Sequence, residues 1–248
     1  AAKESKLMMA DLDVDAANLE LLIQSTIEET HPFYSGETAA IDQDLCINCG
    51  LCFDVCRFDA VKRHLDLFTI DADLCEGCLS CFYQCPVSAI KTIERYSGDW
   101  FQSSTPYGKL FHARLKPGAE SSGKLVSQVR LSAEYSCKDK GCDILLMDGP
   151  PGTGCPVTAS IKGADLALII SEPTKSGLHD LERIYQVAAH FQVPAYLVLN
   201  KSDLNQQVRR EILYFARKNQ MVLLGEVPYD ERVFALQADG KPLVEIEE

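Results

Sequence analysis

Short apolar runs recur through the second half of the chain. DILLMD (Asp143–Asp148), LALIIS (Leu166–Ser171), AYLVLN (Ala195–Asn200) and VLLGEVP (Val222–Pro228) are near-continuously apolar and bounded by turn residues. Parallel strands buried on both faces read this way. KLMMADLD (Lys6–Asp13) reads as a buried strand ending in acids, and AAKES before it as the tail of a helix. Between the runs lie helical patterns. Leu178–Phe191 puts Leu178, Leu181, Ile184, Tyr185 and Ala188 on one face, and Gln206–Lys218 forms another helix. Lys109–Lys116 reads as a strand and Leu125–Ser136 as a helix. Alternating strands and helices predict an α/β fold with a mostly parallel sheet flanked by helices. Ligands in such sheets sit beyond the carboxyl ends of the strands.

The stretch Thr38–Glu94 breaks this rhythm with an internal repeat. Ile41–Val61 (IDQDLCINCGLCFDVCRFDAV) aligns with Ile70–Ile90 (IDADLCEGCLSCFYQCPVSAI), and ten of 21 positions are identical, including all four cysteines. The α/β pattern exists on both sides. The repeat therefore reads as an inserted small α+β domain, residues 38–94, within a larger domain of residues 1–37 and 95–248. Each half carries C-x2-C-x2-C-x3-C. Three thiolates so spaced wrap one face of a cubane cluster, and the fourth reaches only the other cluster. This assigns one [4Fe–4S] cluster to Cys46, Cys49, Cys52 and Cys85, and a second to Cys75, Cys78, Cys81 and Cys56. Structural zinc and disulfides are the alternatives; zinc sites usually pair two C-x2-C arms around one ion. Pro86 follows the last cysteine, while Arg57 stands at the equivalent place in the first half. The segment resembles a bacterial two-cluster ferredoxin.

Composition narrows the classes. Of 248 residues, 46% are hydrophobic and 24% charged, and the net charge is −12. Those fractions are ordinary for a globular protein. So acidic a chain is a poor partner for nucleic acid. No apolar run is long enough to insert in a membrane. Eight of the 11 cysteines lie between Cys46 and Cys85, and no signal-peptide pattern precedes them. A reducing cytoplasmic compartment, where clustered cysteines hold metal, is the expectation. Cys137, Cys142 and Cys155 fall outside the repeat and read as buried free thiols.

Four strand-end segments point to phosphate chemistry. Ala10–Leu21 places Asp11 and Asp13 at a strand end, and Ile144–Gly154 places Asp148 at another, before a Pro/Gly-rich turn. An acid there is positioned to hold Mg²⁺ or its water shell; taken singly, it is more often a turn or helix cap. LVLNKSD ends a strand with Asn200, Lys201 and Asp203, a pattern that reads a purine edge. GEVPYD, with Pro228, forms a loop suited to pack on the base.

Together, in this order, the segments resemble the MinD/ParA/Mrp group of P-loop ATPases (SIMIBI type), with the nitrogenase iron protein as a more distant relative. The closest resemblance is to MinD-like ATPases carrying an inserted ferredoxin domain. It rests on DVDAANLEL, CPVTASIKGADLALIISEPTKSGLHDLERI and KPGAESSGKLVSQVR. By that resemblance, Asp13 matches the switch I aspartate that orients the attacking water, Asp148 the Walker B aspartate near Mg²⁺, and Asn200 the adenine-contacting asparagine. It also implies ATP with Mg²⁺ as ligand, and a homodimer or a heterodimer with a similar ATPase. Cys155 stands near the place of an intersubunit cluster ligand in the nitrogenase iron protein.

The sequence departs from the group in one respect. No K-G-G-x-G-K-[ST] segment, whose amides and lysines cradle phosphates, is present. Gly118–Leu125 offers G-x4-G-K, but Leu125 cannot coordinate Mg²⁺, and Lys124 reads as a residue of a structural or partner-facing turn. The expectation is a chain lacking its first strand, P-loop and most of its first helix, about 30 residues, and therefore weak in binding and hydrolysing ATP. The functional expectation is an ATP-binding iron–sulfur protein that couples a nucleotide-dependent dimer switch to electron transfer toward a redox partner, or to cluster assembly on an apo-protein client. The alternative is a ferredoxin-type carrier or partner-binding protein with a non-hydrolysing nucleotide fold.

Overall fold

The alternating pattern folds into β1 (Leu7–Asp11), α1 (Leu19–Leu22), β2 (Thr26–Ile41), α2 (Leu51–Val55), β3 (Val61–His64), β4 (Leu67–Ile70), α3 (Ser80–Gln84) and β5 (Ile90–Thr105). There follow β6 (Gly108–Leu115), α4 (Ser122–Lys140), β7 (Ile144–Asp148), α5 (Cys155–Ile161), β8 (Ala167–Ser171), α6 (Lys175–His190), β9 (Ala195–Asn200), α7 (Gln206–Lys218) and β10 (Val222–Val227). The computed structural model describes residues 6–119 and 122–233. The AAKES segment lies outside them. The described chain divides into two compact units, one of residues 6–31, 99–115 and 122–233, the other of residues 32–98 and 116–119.

The larger unit carries a mostly parallel sheet flanked by helices. β1 pairs in parallel with β6 on one side and β7 on the other. Met8, Met9 and Ala10 of β1 and Leu110 and Phe111 of β6 are buried, as are Leu125, Val126, Val129 and Ala133 of α4. β8, β9 and β10 form a second parallel sheet. Its Ile169, Leu197 and Leu199 pack with Leu181 of α6 and Val208, Ile212 and Ala216 of α7. Two caps fix these helices. Thr174 Oγ1 accepts from the Gly177 amide (2.9 Å), and Asn205 Oδ1 accepts from the amides of Gln207 and Val208.

One expectation is corrected. β7 and β8 read as strands buried on both faces, yet Ile144 and Leu146 are 51% and 57% exposed, and Leu168 and Ile170 are 50% and 61% exposed. The exposure alternates along each strand, so one face of each is uncovered among the described residues. β10, also read as a buried strand, shows the same pattern, with Val222 and Leu224 53% and 57% exposed. The apolar residues of β8 alternate, Ile169 lying in the core under α6 while its two neighbours do not.

The smaller unit is built on the repeat. Antiparallel β3 and β4 pair from Val61↔Ile70 to His64↔Leu67. Ala39, Ala60, Val61, Phe68 and Ile90 form its core together with Cys52, Cys75 and Cys81. A core this small relies on its cysteines.

Candidate functional site

The repeat in sequence is a repeat in backbone. Positive φ recurs at equivalent positions, Asn48 (55°) with Gly77 (63°), Gly50 (81°) with Leu79 (60°), and Asp59 (51°) with Ser88 (52°). Cys56 and Cys85 end α2 and α3 with almost the same dihedrals, φ −75°, ψ 116° and φ −75°, ψ 113°. The halves are joined crosswise. The Asp42 amide donates to Ala89 O at 2.7 Å, and the Asp71 amide donates to Ala60 O at 2.8 Å. Asp42 stands four residues before Cys46, and Ala89 four after Cys85; Asp71 and Ala60 flank Cys75 and Cys56 in the same way. The entry of each half is thus bonded to the exit of the other.

Cys46, Cys49, Cys52 and Cys85 accordingly line one pocket, with Ile47, Leu51, Phe68, Val87 and Ile90. Among the described residues, no three Cys, His, Asp or Glu side chains close on a single metal ion. A ring of four sulfurs around an apolar pocket suits a cubane, whose separate irons each take one thiolate, better than one tetrahedral zinc. The Ala89 amide donates to Cys85 Sγ at 3.2 Å. Cys46 Sγ–H donates to Asn48 Oδ1 (3.6 Å) and Cys78 Sγ–H to Ser80 Oγ (3.5 Å). Burial pushes the Cys52 and Cys81 thiols up. Hydrogen bonds that the Ser80 hydroxyl and amide donate to the thiolate pull Cys78 down. Asn48, Ser80 and Ala89 were not singled out from the sequence; their offsets from the cysteines, two and four residues, are the signal that finds them.

In the larger unit, Asp11 and Asp148 are register partners at the carboxyl ends of β1 and β7. Asp11 is 1% exposed. Its Oδ1 accepts from the Asp13 amide and its Oδ2 from the Leu19 amide, each at 3.1 Å. These bonds favour the anion, but burial outweighs them. With the charges of Asp148 and Asp13 added, it raises the Asp11 pKa to about 6. Asp148 is also raised, first by burial and then by Asp13; the residue keeps an exposed face, so water moderates the effect. Asp13 is half-buried beside them. The three acids form one cluster.

A polar group under α1 holds this loop and escaped the sequence reading. Glu20, at the start of α1, binds Arg114 Nε (2.9 Å) and Nη2 (2.5 Å). Its Oε2 lies 3.2 Å from His112 Nδ1, without hydrogen-bond alignment. His112 Nε2 pairs with Ser103 Oγ at 2.8 Å. Burial and Arg114 hold the His112 pKa down, although Glu20 opposes them. Serine, histidine and glutamate are aligned, but Ser103 and His112 are fully buried, so no substrate reaches the hydroxyl.

Asn200, Lys201, Asp203 and Pro228 gather at the ends of β9 and β10. Asn200 Oδ1 accepts from the Lys201 amide (3.0 Å), and Asp203 Oδ1 accepts from the Tyr229 amide (2.7 Å). Lys201 Nζ is paired with Glu172 at 2.7 Å. This group and the acidic cluster belong to different sheets.

The last glycine of the G-x4-G-K segment packs against a neighbouring helix. Gly123 lies in the first turn of α4, and a Cβ there would stand 3.0 Å from Cys155 Cβ. The glycine lets α4 pass close to α5, and Lys124 is exposed. Residues 120 and 121 of that loop lie outside the described residues. The reading of three buried thiols is corrected as well. Cys155 is exposed, because it opens α5. Cys137 and Cys142 are half-exposed and bonded to each other, because the end of α4 brings them together.

Comparison with known proteins agrees with both units. Residues 39–92 match the 4Fe-4S dicluster domain family. The chain is 37% identical over 204 residues to the Methanocaldococcus jannaschii protein MJ0578, covering 82% of this chain and 70% of that one. It is 26% identical over 144 residues to MJ0579 of the same organism, covering 58% of this chain and about half (48%) of that protein. Among solved structures, the Pyrococcus furiosus cell division ATPase MinD aligns with TM-score 0.51 and 15% identity, covering 98% of this chain and 78% of that one. The septum site-determining protein MinD of Pyrococcus horikoshii, complexed with Mg-ADP, aligns with TM-score 0.51 and 14% identity, covering 97% and 76%. Identity this low establishes the fold alone. The chain belongs to the family of MJ0578, and this chain joins a 4Fe-4S dicluster domain to an α/β fold of the MinD type.

Proposed function

We propose that the protein couples a nucleotide-dependent dimer switch to electron transfer through two [4Fe–4S] clusters. The observation that carries this reading is the crosswise cysteine cage, four sulfurs from both halves of the repeat around one apolar pocket. Cys46, Cys49, Cys52 and Cys85 hold the first cluster, and Cys75, Cys78, Cys81 and Cys56 the second. When bound, each cluster stores and releases one electron. The chain's own residues set the conditions. Phe68, Val87 and Ile90 line the first pocket with apolar surface, and the Ala89 amide stabilises charge on Cys85 Sγ.

Asp148 is assigned to Mg²⁺ of a bound nucleotide and Asp13 to the attacking water, with Asp11 fixing the Asp13 backbone. Asn200 takes the adenine, and Lys201, Asp203 and Pro228 shape its loop. The Mg-ADP bound to the Pyrococcus horikoshii protein of the same fold supports a nucleotide in this role. The sequence holds no K-G-G-x-G-K-[ST] segment, so we expect this chain to bind Mg·ATP weakly and to hydrolyse it slowly. Tight binding with steady turnover would refute that expectation.

Anaerobic EPR with redox titration tests the main reading. Two stable signals with reversible potentials are expected. Clusters that are labile, and that pass intact to an apo-protein, would replace electron transfer by cluster assembly. The second reading is a carrier with a non-hydrolysing nucleotide fold. It is favoured by the engagement of Lys201 with Glu172 and of Gly123 with Cys155, which leaves those groups serving structure.

A further inference from the structure

The end of α4 shows a chemical arrangement that neither the clusters nor the nucleotide site uses. Gly141 follows the helix with φ +61°, and the Cys142 amide donates to Cys137 O at 2.9 Å. This is a Schellman closure, which sets the third residue from the helix end against the second residue beyond it. An apolar contact usually fills that pair of positions. Here both are cysteine. Their Cα atoms stand 4.9 Å apart, inside the range a disulfide spans without rearrangement. Both residues are half-exposed, so an exchange partner can reach them. The pair also sits at a junction. The amides of Asp143 and Ile144 both donate to Lys6 O, and Lys6 N–H donates to Asp143 Oδ2. The end of α4, the start of β7 and the approach to β1 therefore meet here, at the opposite ends of the two strands that carry Asp11 and Asp148.

We propose that Cys137 and Cys142 form a reversible dithiol–disulfide site that clasps α4 to β7. The oxidant is a low-molecular-weight or protein disulfide. The thiolate of one cysteine attacks a sulfur of that disulfide, forming a mixed disulfide and releasing one thiolate. The second cysteine thiolate then displaces the other, closing the Cys137–Cys142 bond. Two electrons pass to the external disulfide, and the two thiol protons end on the two thiols released. A dithiol reductant reverses the exchange. A helix end pre-set by its own backbone favours closure over a lasting mixed disulfide.

The test uses the cluster-loaded chain carrying Cys155→Ser, equilibrated anaerobically over a series of reduced to oxidised glutathione ratios. Thiols are then trapped with N-ethylmaleimide and the chain is cut with trypsin. Cleavage after Lys138 and Lys140 separates the two cysteines unless they are bonded. Disulfide-linked peptides should rise from nearly absent to nearly complete across the series, and should return to absent with dithiothreitol under native conditions. Thermal unfolding should move upward on oxidation in this chain and stay unchanged when Cys142→Ser is added. The visible absorption of the clusters checks that they persist throughout. Peptides that never link, or that stop at a glutathione adduct on one cysteine, would overturn the proposal. So would a bond that resists dithiothreitol in the folded protein.

Discussion

Asp11 concentrates the electrostatics of the larger unit. Its carboxyl is nearly inaccessible, accepts two amide hydrogens and faces two further acids. A carboxyl NMR titration should find its midpoint near 6. Asp148→Asn removes one neighbouring charge and should lower that midpoint; an unchanged value would mean that burial alone sets it. His112 works in the opposite sense. Its folded pKa is depressed, so it stays neutral in the fold while the unfolded chain takes up a proton below about pH 6.5. The stability it contributes is present above that pH and is lost on acidification. Asp11 has a raised folded pKa, so its contribution grows as pH falls from about 6 toward the ordinary carboxylate range. Urea unfolding followed from pH 7.5 to 5.5 should therefore show a flatter or rising stability in His112→Gln than in the parent chain.

At the scale of elements, two contacts decide local order. Gly77 opens the second cysteine loop with φ +63°, and a Cβ there would stand 2.2 Å from Glu37 O in β2. Backbone cannot yield as a flexible side chain would. Gly77→Ala should empty the second cluster and leave the first, so iron content falls by about half. Iron analysis with EPR of the remaining signal checks this. Arg130 plays the matching part for α5. Its Nη1 donates to Ala159 O (2.7 Å) and Ser160 O (2.9 Å), and its Nε to Glu134 at 2.7 Å. It satisfies carbonyls at a short helix's end that would otherwise be orphaned. Arg130→Ala should cost about 3 kcal/mol, read from chemical denaturation. Arg130→Lys should recover only part of it, because lysine lacks the forked donors.

For the whole molecule, metal and folding are coupled unequally. Three cysteines belong to the core of the smaller unit, and that core is small. The larger unit keeps separate apolar cores under α4 and under α6 and α7. Removing iron with a chelator should abolish one calorimetric transition and leave a second close to its original temperature. A single transition that vanishes entirely would mean that the units fold as one.

Much of this was legible in the chain itself. Strict spacing, C-x2-C-x2-C-x3-C twice at a fixed interval, specifies a cysteine arrangement because local backbone geometry fixes where neighbouring thiolates point. β9, β10 and α7 stand where the apolar periodicity places them, because strand and helix periods are local properties. Asp11 and Asp148 could be seen at strand ends, but not that they are register partners, since strand order is a long-range choice. The tertiary structure alone decided four things. Asp42 and Asp71 cross-bond the repeat, because the two halves meet in space and not in sequence. Gly123 is a packing position, because α5 passes beside it. Glu20 and His112 are buried together, because α1 lies over β6 residues some 90 positions away. The uncovered faces of β7, β8 and β10 depend on what packs against them, and apolar composition cannot tell a strand covered on two faces from a strand covered on one.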